Sequence, residues 1–77
     1  MSRKLLKTGG VEVDARLYQV RYFEMLTVRG VRRYTAEIAL GPGDRVILDD
    51  DSMVSLETRT TRLMPATLFS RELLKTA

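Results

Sequence analysis

Two runs of residues flanking Gly30 constrain this chain more than any other feature. Over residues 17–28 the even positions read Tyr18, Val20, Tyr22, Glu24, Leu26 and Val28, and the odd positions read Leu17, Gln19, Arg21, Phe23, Met25 and Thr27. Over residues 33–40, Tyr34, Ala36, Ile38 and Leu40 fall on one parity, while Arg33, Thr35, Glu37 and Ala39 fall on the other. Successive side chains of a strand point to opposite faces. The second run therefore reads as a half-buried strand, and the first as a strand with one mostly apolar face and one mixed face. β-branched and aromatic residues favour strands; they fill both runs and recur at Val11 and Val13.

The register of this hairpin follows from keeping like faces together. A two-residue turn at Arg29-Gly30 would pair Val28 with Val31 and set even positions against odd ones throughout. A one-residue slip exchanges entire faces, so that arrangement is disfavoured. A three-residue loop, Val28-Arg29-Gly30, closes instead with Thr27 opposite Val31, and it puts Gly30 where a left-handed backbone is commonly needed. The apolar face then pairs Tyr18 with Leu40, Val20 with Ile38 and Tyr22 with Ala36. The polar face sets Arg21 opposite Glu37, an opposite-charge pair worth roughly 0.2–1 kcal/mol. Glu24, on the otherwise apolar parity, marks a place where a bulge would shift this register.

Gly41-Pro42-Gly43-Asp44 has the residues of a type II turn, with proline presetting φ and glycine supplying a positive φ after it. Residues 45–48 follow as a short strand, and their three consecutive apolar side chains suggest burial on both faces. Asp49, Asp50, Asp51 and Ser52 then suit the start of a helix. Met53, Leu56, Thr60 and Leu63 recur at helical spacing, which predicts a helix over 53–63. Thr58, Thr60 and Thr61 are poor helix formers, and alternation at Val54, Leu56 and Thr58 leaves a strand as the competing reading. Pro65 is expected to end or kink the helix, with a further short helix over 66–75 that places Phe69 and Leu73 at i, i+4. Residues 1–10 are basic and end in Gly9-Gly10, and they read as a flexible tail. The expectation is a single α+β domain over residues 11–77, with an antiparallel sheet of three to four strands (about 11–48) followed by one or two C-terminal helices packed on one face. The alternative is a small all-β barrel.

Composition narrows function mainly by exclusion. The 77 residues include no Cys, His or Trp. That removes disulfides, Cys- or His-based nucleophilic catalysis, the usual zinc, haem and iron–sulfur ligands, and an imidazole base. A chain this short seldom builds a water-excluding pocket besides its core. Neither GxxxxGK[ST] nor GxGxxG occurs. Asp49, Asp50 and Asp51 are the only dense group of hard-metal ligands. Counting from Asp49, however, the sixth residue is Val54 and the twelfth is Thr60, so the group is no calcium loop and reads as a helix cap. No enzyme activity, catalytic residue, metal, cofactor or small-molecule substrate is therefore expected. The basic start contains an apolar run of only two residues, Leu5-Leu6, against the roughly 7–15 of a secretion signal, and nothing approaches a membrane span. The expected location is cytoplasmic, with no membrane partner.

Two leads remain. The first is surplus apolar surface, because Phe23 and Met25 lie on the second face of their strand and Leu68, Phe69 and Leu73 lie in the C-terminal segment. One or two helices cover only one face of a sheet, and exposed apolar patches mark interfaces. The corresponding expectation is a small protein-interaction module that binds another protein or a second copy of itself. The second lead is charge. Residues 1–40 hold eight basic and four acidic residues, whereas residues 41–77 hold five and six. Arg29, Arg32, Arg33 and Tyr34 crowd the hairpin tip, and with the basic tail they make nucleic-acid binding the alternative function.

Overall fold

The computed structural model describes residues 3–76 and has the order β1 (Arg3–Val13), β2 (Arg16–Leu26), β3 (Arg32–Gly41), β4 (Asp44–Asp50) and α1 (Met53–Thr76). The four strands form one antiparallel sheet in the order β1-β2-β3-β4, each paired with its sequence neighbours, and α1 packs across one face. The architecture is therefore α+β with an open sheet, and the barrel alternative is overturned because β4 leads into a helix rather than into a closing strand.

The central hairpin has the register that its alternation dictates. Val20 pairs with Ile38, Arg21 with Glu37 and Tyr22 with Ala36, but the pairing ends at Val20 and does not reach the expected Tyr18–Leu40. Thr27 N–H donates to the Val31 carbonyl at 2.9 Å, Gly30 N–H donates to the Thr27 carbonyl at 2.9 Å, and Gly30 has φ 79°. Glu24 causes no slip between β2 and β3; it lies opposite Tyr34 on one side and Lys4 on the other. The register shifts lie elsewhere, in β1 between Leu5 and Lys7 and in β3 between Ala39 and Gly41. The next turn leaves Gly43 at φ 73° and pairs Gly41 with Asp44.

The tail expected over residues 1–10 is corrected from Arg3 onward, because Arg3–Gly10 form the outer strand with Val11–Val13; residues 1 and 2 lie outside the described residues. A glycine pair lacks side chains to pack, and here β2 supplies them. The Tyr22 ring lies 3.6 Å from where a Cβ on Gly9 would be, and Leu17 lies 2.8 Å from where one on Gly10 would be. Gly10 thus leaves the space that the Leu17 side chain fills. The β1–β2 turn is Asp14-Ala15, with φ 52° and 65°, the positive-φ geometry of a two-residue hairpin loop.

Val20, Tyr22, Ala36 and Ile38 from the sheet meet Leu56 and Met64 from α1, and this forms the core. The helix starts at Ser52, whose side-chain oxygen accepts from Ser55 N–H at 3.3 Å and whose carbonyl accepts from Leu56 N–H at 2.9 Å. Pro65 does not end it, and the two expected helices are one. Proline removes a bond to the carbonyl of residue 61 and crowds it. Thr61 and Pro65 are both solvent-exposed, so water can satisfy that carbonyl while Met64 and Leu68 anchor the helix on either side of Pro65.

Candidate functional site

The helix covers the parity that carries Val20, Tyr22, Ala36 and Ile38, so Phe23 and Met25 lie on the sheet face that no helix covers. Arginines shelter that face instead. The Arg3 guanidinium lies 3.8 Å from the Phe23 ring centroid and leaves the ring 7% exposed. Met25 is half-buried, and the Thr35 hydroxyl donates to its sulfur at 3.4 Å. Beside them Glu37, only 4% exposed, accepts from three arginines on three different strands: Arg3 at 3.3 Å, Arg21 at 2.5 Å and Arg45 at 3.2 Å. Arg33, from β3, pairs with Asp49 of β4 at 2.7 Å. Burial raises the Glu37 carboxyl, but the Arg21 hydrogen bond and the charges of Arg21, Arg45 and Arg3 outweigh it and hold the carboxyl below its ordinary value.

This arrangement follows from register. Arg21 faces Glu37 across β2 and β3, while Arg45 enters from the far side because it pairs with Ala39, next but one along from Glu37. Arg3 arrives only because β1 folds back, with Arg3 opposite Met25 and Leu5 opposite Phe23. Arg21 and Glu37 were legible as a pair in the alternation, whereas Arg3 and Arg45 were not read as part of any site. The turns alone do not reveal them. Counting outward from Val13 opposite Arg16 puts Arg3 opposite Leu26, and counting from Gly41 opposite Asp44 puts Arg45 opposite Leu40, both on the helix-covered parity. Only the register shifts between Leu5 and Lys7 and between Ala39 and Gly41 turn them onto the open face.

The other expected interface residues divide. Leu68 is half-buried and packs against the core, so it is not an exposed contact. Phe69 and Leu73 are exposed on α1, at 65% and 55%. Phe69 and Pro65 form one wall of a groove of about 700 Å³ between the C-terminal half of α1 and the β1–β2 turn, floored by Tyr18, Leu40 and Leu68. Its charged residues are four acidic, Glu12, Asp14, Asp44 and Glu72, and two basic, Arg16 and Arg71, with Arg71 paired to Asp44 at 3.1 Å. Leu63 and Leu74 are exposed on another flank of the helix.

The expected cluster at the hairpin tip does not assemble. Arg29 and Arg32 are solvent-exposed there, Arg33 turns onto the open face to meet Asp49, and Tyr34 turns to the helix face and packs against the core. The cause is the same alternation that builds the hairpin, since consecutive strand residues cannot share a face. The three aspartates also separate. Asp49 holds Arg33, and Asp50 accepts from Asp51 N–H, Ser52 N–H, the Ser55 hydroxyl and Arg59. The Arg59 guanidinium, then the Ser55 hydroxyl, keep the Asp50 carboxyl far below the usual carboxylate range. Among the described residues no three acidic side chains converge as metal ligands, and no helix is long and apolar enough to cross a membrane.

The molecule thus belongs to the class of open-faced α+β sandwiches, with one layer of helix, one of sheet and a bare side lined with arginine. Comparison with family models, curated proteins and solved structures finds no match to this chain.

Proposed function

We propose that this chain is a small non-catalytic interaction module that pairs with a second copy of itself through the C-terminal half of α1. The observation that carries the reading is Phe69, an aromatic side chain 65% exposed on the wall of a groove, with an apolar floor and a charged rim, that it does not fill. Leu73, four residues on from Phe69 and 55% exposed, adds apolar surface on the same flank of the helix. A two-fold pairing is self-complementary, so a rim with both charge signs can meet its own copy with opposites facing. Such pairing sets the two Phe69 rings near the axis and fills each groove with the other subunit. Each few hundred Å² of apolar surface removed from water contributes several kcal/mol at about 25 cal/mol per Å², before the costs of association.

The non-catalytic half of the reading is supported by the ionisable groups. The carboxyls with marked surroundings, Glu37 and Asp50, are held by arginine as anions, and neither is pushed up toward the neutral range where a general acid would work.

Sedimentation velocity over a wide concentration range tests the proposal. The weight-average mass should rise from one chain toward two, and Phe69→Asp should hold it at one chain while leaving the far-ultraviolet circular dichroism unchanged. A mass that stays at one chain for the native protein at every concentration, or a pairing indifferent to Phe69→Asp, overturns it.

A further inference from the structure

The open face carries more positive charge than its own carboxylates need. Arg3, Arg21 and Arg45 surround the single Glu37 carboxylate, and their side chains stay 46%, 50% and 63% exposed. One carboxylate balances one guanidinium, so the cluster keeps a surplus of two charges, and Arg33 with Asp49 adds a neutral pair. Each guanidinium has five N–H donors in a fixed plane, and one bond to Glu37 leaves most of them directed to solvent. Glu37 therefore acts as an anchor that fixes three arginines side by side.

The surface between them is not uniformly polar. Arg21 and Arg45 flank a shallow basin of about 590 Å³ that also includes Gln19, Ala39 and two carboxylates, Glu37 and Asp44, the latter paired with Arg71. Arg3 and Arg33 flank a second basin of about 400 Å³ floored by Met25, Thr35 and Ile47, and Ile47 is 55% exposed. The Arg3 guanidinium already lies over the Phe23 ring at 3.8 Å, and the Arg3 side chain stays 46% exposed. A planar aromatic group laid on that guanidinium would continue the stack, and one laid on Ile47 and Met25 would cover apolar surface. Arg21 on β2 and Arg45 on β4 rise from backbones two strand spacings apart, about 10 Å, and their guanidinium groups converge on one Glu37 oxygen, at 2.5 and 3.2 Å.

We infer that this face binds single-stranded nucleic acid, its phosphates held by Arg21 and Arg45 and its bases laid on Arg3 and the Met25–Ile47 basin. The occupant follows from complementarity: a strand brings repeated negative charge and flat apolar rings together, which is what alternating guanidinium and apolar patches on an open sheet can take. An acidic peptide satisfies the charges and leaves the stacking surface idle. This site lies on the opposite side of the sheet from the Phe69 groove and stands independently of self-association.

The test is fluorescence anisotropy of the full chain with labelled single-stranded oligothymidylate and oligouridylate, titrated across salt concentrations, with unlabelled poly-glutamate as a competitor. Binding should weaken as salt rises, and Arg21→Ala with Arg45→Ala should lower affinity at low salt at least tenfold and make the log–log salt slope shallower by about 1.4, two contacts at about 0.7 each. Arg29→Ala with Arg32→Ala removes the same charge from the hairpin tip and should change affinity less than twofold. Ile47→Asp alters only an exposed side chain and should also abolish binding, which covers the case in which the double arginine variant does not fold. The proposal is overturned by no binding at low salt, by equal losses from the tip and face variants, or by poly-glutamate competing as well as the oligonucleotide, which would assign the face to an acidic protein.

Discussion

The two faces of this sheet are dried by opposite means. On the helix side, Val20, Tyr22, Ala36 and Ile38 are buried by Leu56 and Met64, apolar against apolar. On the other side, Phe23, Thr35 and Glu37 are nearly as buried, yet the covering groups are guanidinium side chains that keep their heads in water. Arginine can do this because its stem is apolar and its charged end is planar and weakly hydrated. The contrast shows that low exposure alone does not identify a core. The helix side is closed by packing, whereas the arginine side is held by charge and stays open to solvent. Among the described residues no buried side-chain nitrogen or oxygen lacks a partner, so the charged cover is complete.

The contrast breaks most sharply at Leu56. Leu56→Ala opens a cavity against Val20 and Ile38 and should cost about 3 kcal/mol by urea unfolding, with little dependence on salt. Ile47→Ala, on the arginine side, should cost less than about 0.5 kcal/mol, since Ile47 is more than half exposed. Equal losses at the two positions would mean that the open face is packed against something.

Glu37→Gln probes the charged cover and comes next in size. It removes the charge that three arginines share, and should cost about 1.5 kcal/mol, the scale of hydrogen bonds to a charged group. The loss stays below that of breaking a buried ion pair because the arginines remain hydrated. Since Glu37 is held below its ordinary 4.5, its contribution is fully present above that pH and fades as pH falls through the lower folded value. The gap between native protein and variant should therefore narrow in acid, and also narrow with added salt. Asp50 is lowered as well, so the variant keeps the part of its acid sensitivity that comes from the helix start. A gap that widens in acid would show that Glu37 is protonated in the folded protein.

What could be read in advance tracks these two faces. The register of β2 and β3 was legible because the alternation from Tyr34 to Leu40 is strict and Gly30 fits one loop length. The Arg21–Glu37 pair came with it. The outer strand β1 was hidden because Gly9-Gly10 has no side chains to alternate, and its partners, Tyr22 and Leu17, lie on another strand. The unbroken helix was hidden because whether Pro65 ends a helix depends on whether the crowded carbonyl reaches water, a tertiary fact. The arginine cluster was hidden for a third reason. Its members are distant in sequence, and Arg3 and Arg45 meet Glu37 only after two turns, and a register shift beyond each, have set the pairing of both edge strands.

The smallest effect concerns the turn that delivers Arg3. Asp14 and Ala15 both sit at positive φ, where a Cβ crowds the following carbonyl. Asparagine and aspartate tolerate this region through local hydrogen bonding, but alanine has no such compensation. At Ala15 the strain is on the order of 1–2 kcal/mol, and glycine would relieve it. Glycine also enlarges the unfolded ensemble, which takes back roughly 0.5–1 kcal/mol. Ala15→Gly should therefore raise stability by about 0.5 kcal/mol, seen as a higher urea midpoint with an unchanged slope. The gain should add to the loss from Glu37→Gln in the double variant, because the turn and the cluster sit at opposite ends of β1 with no shared partner. A lower midpoint for Ala15→Gly would mean that the Ala15 methyl group makes a contact worth more than the strain it causes.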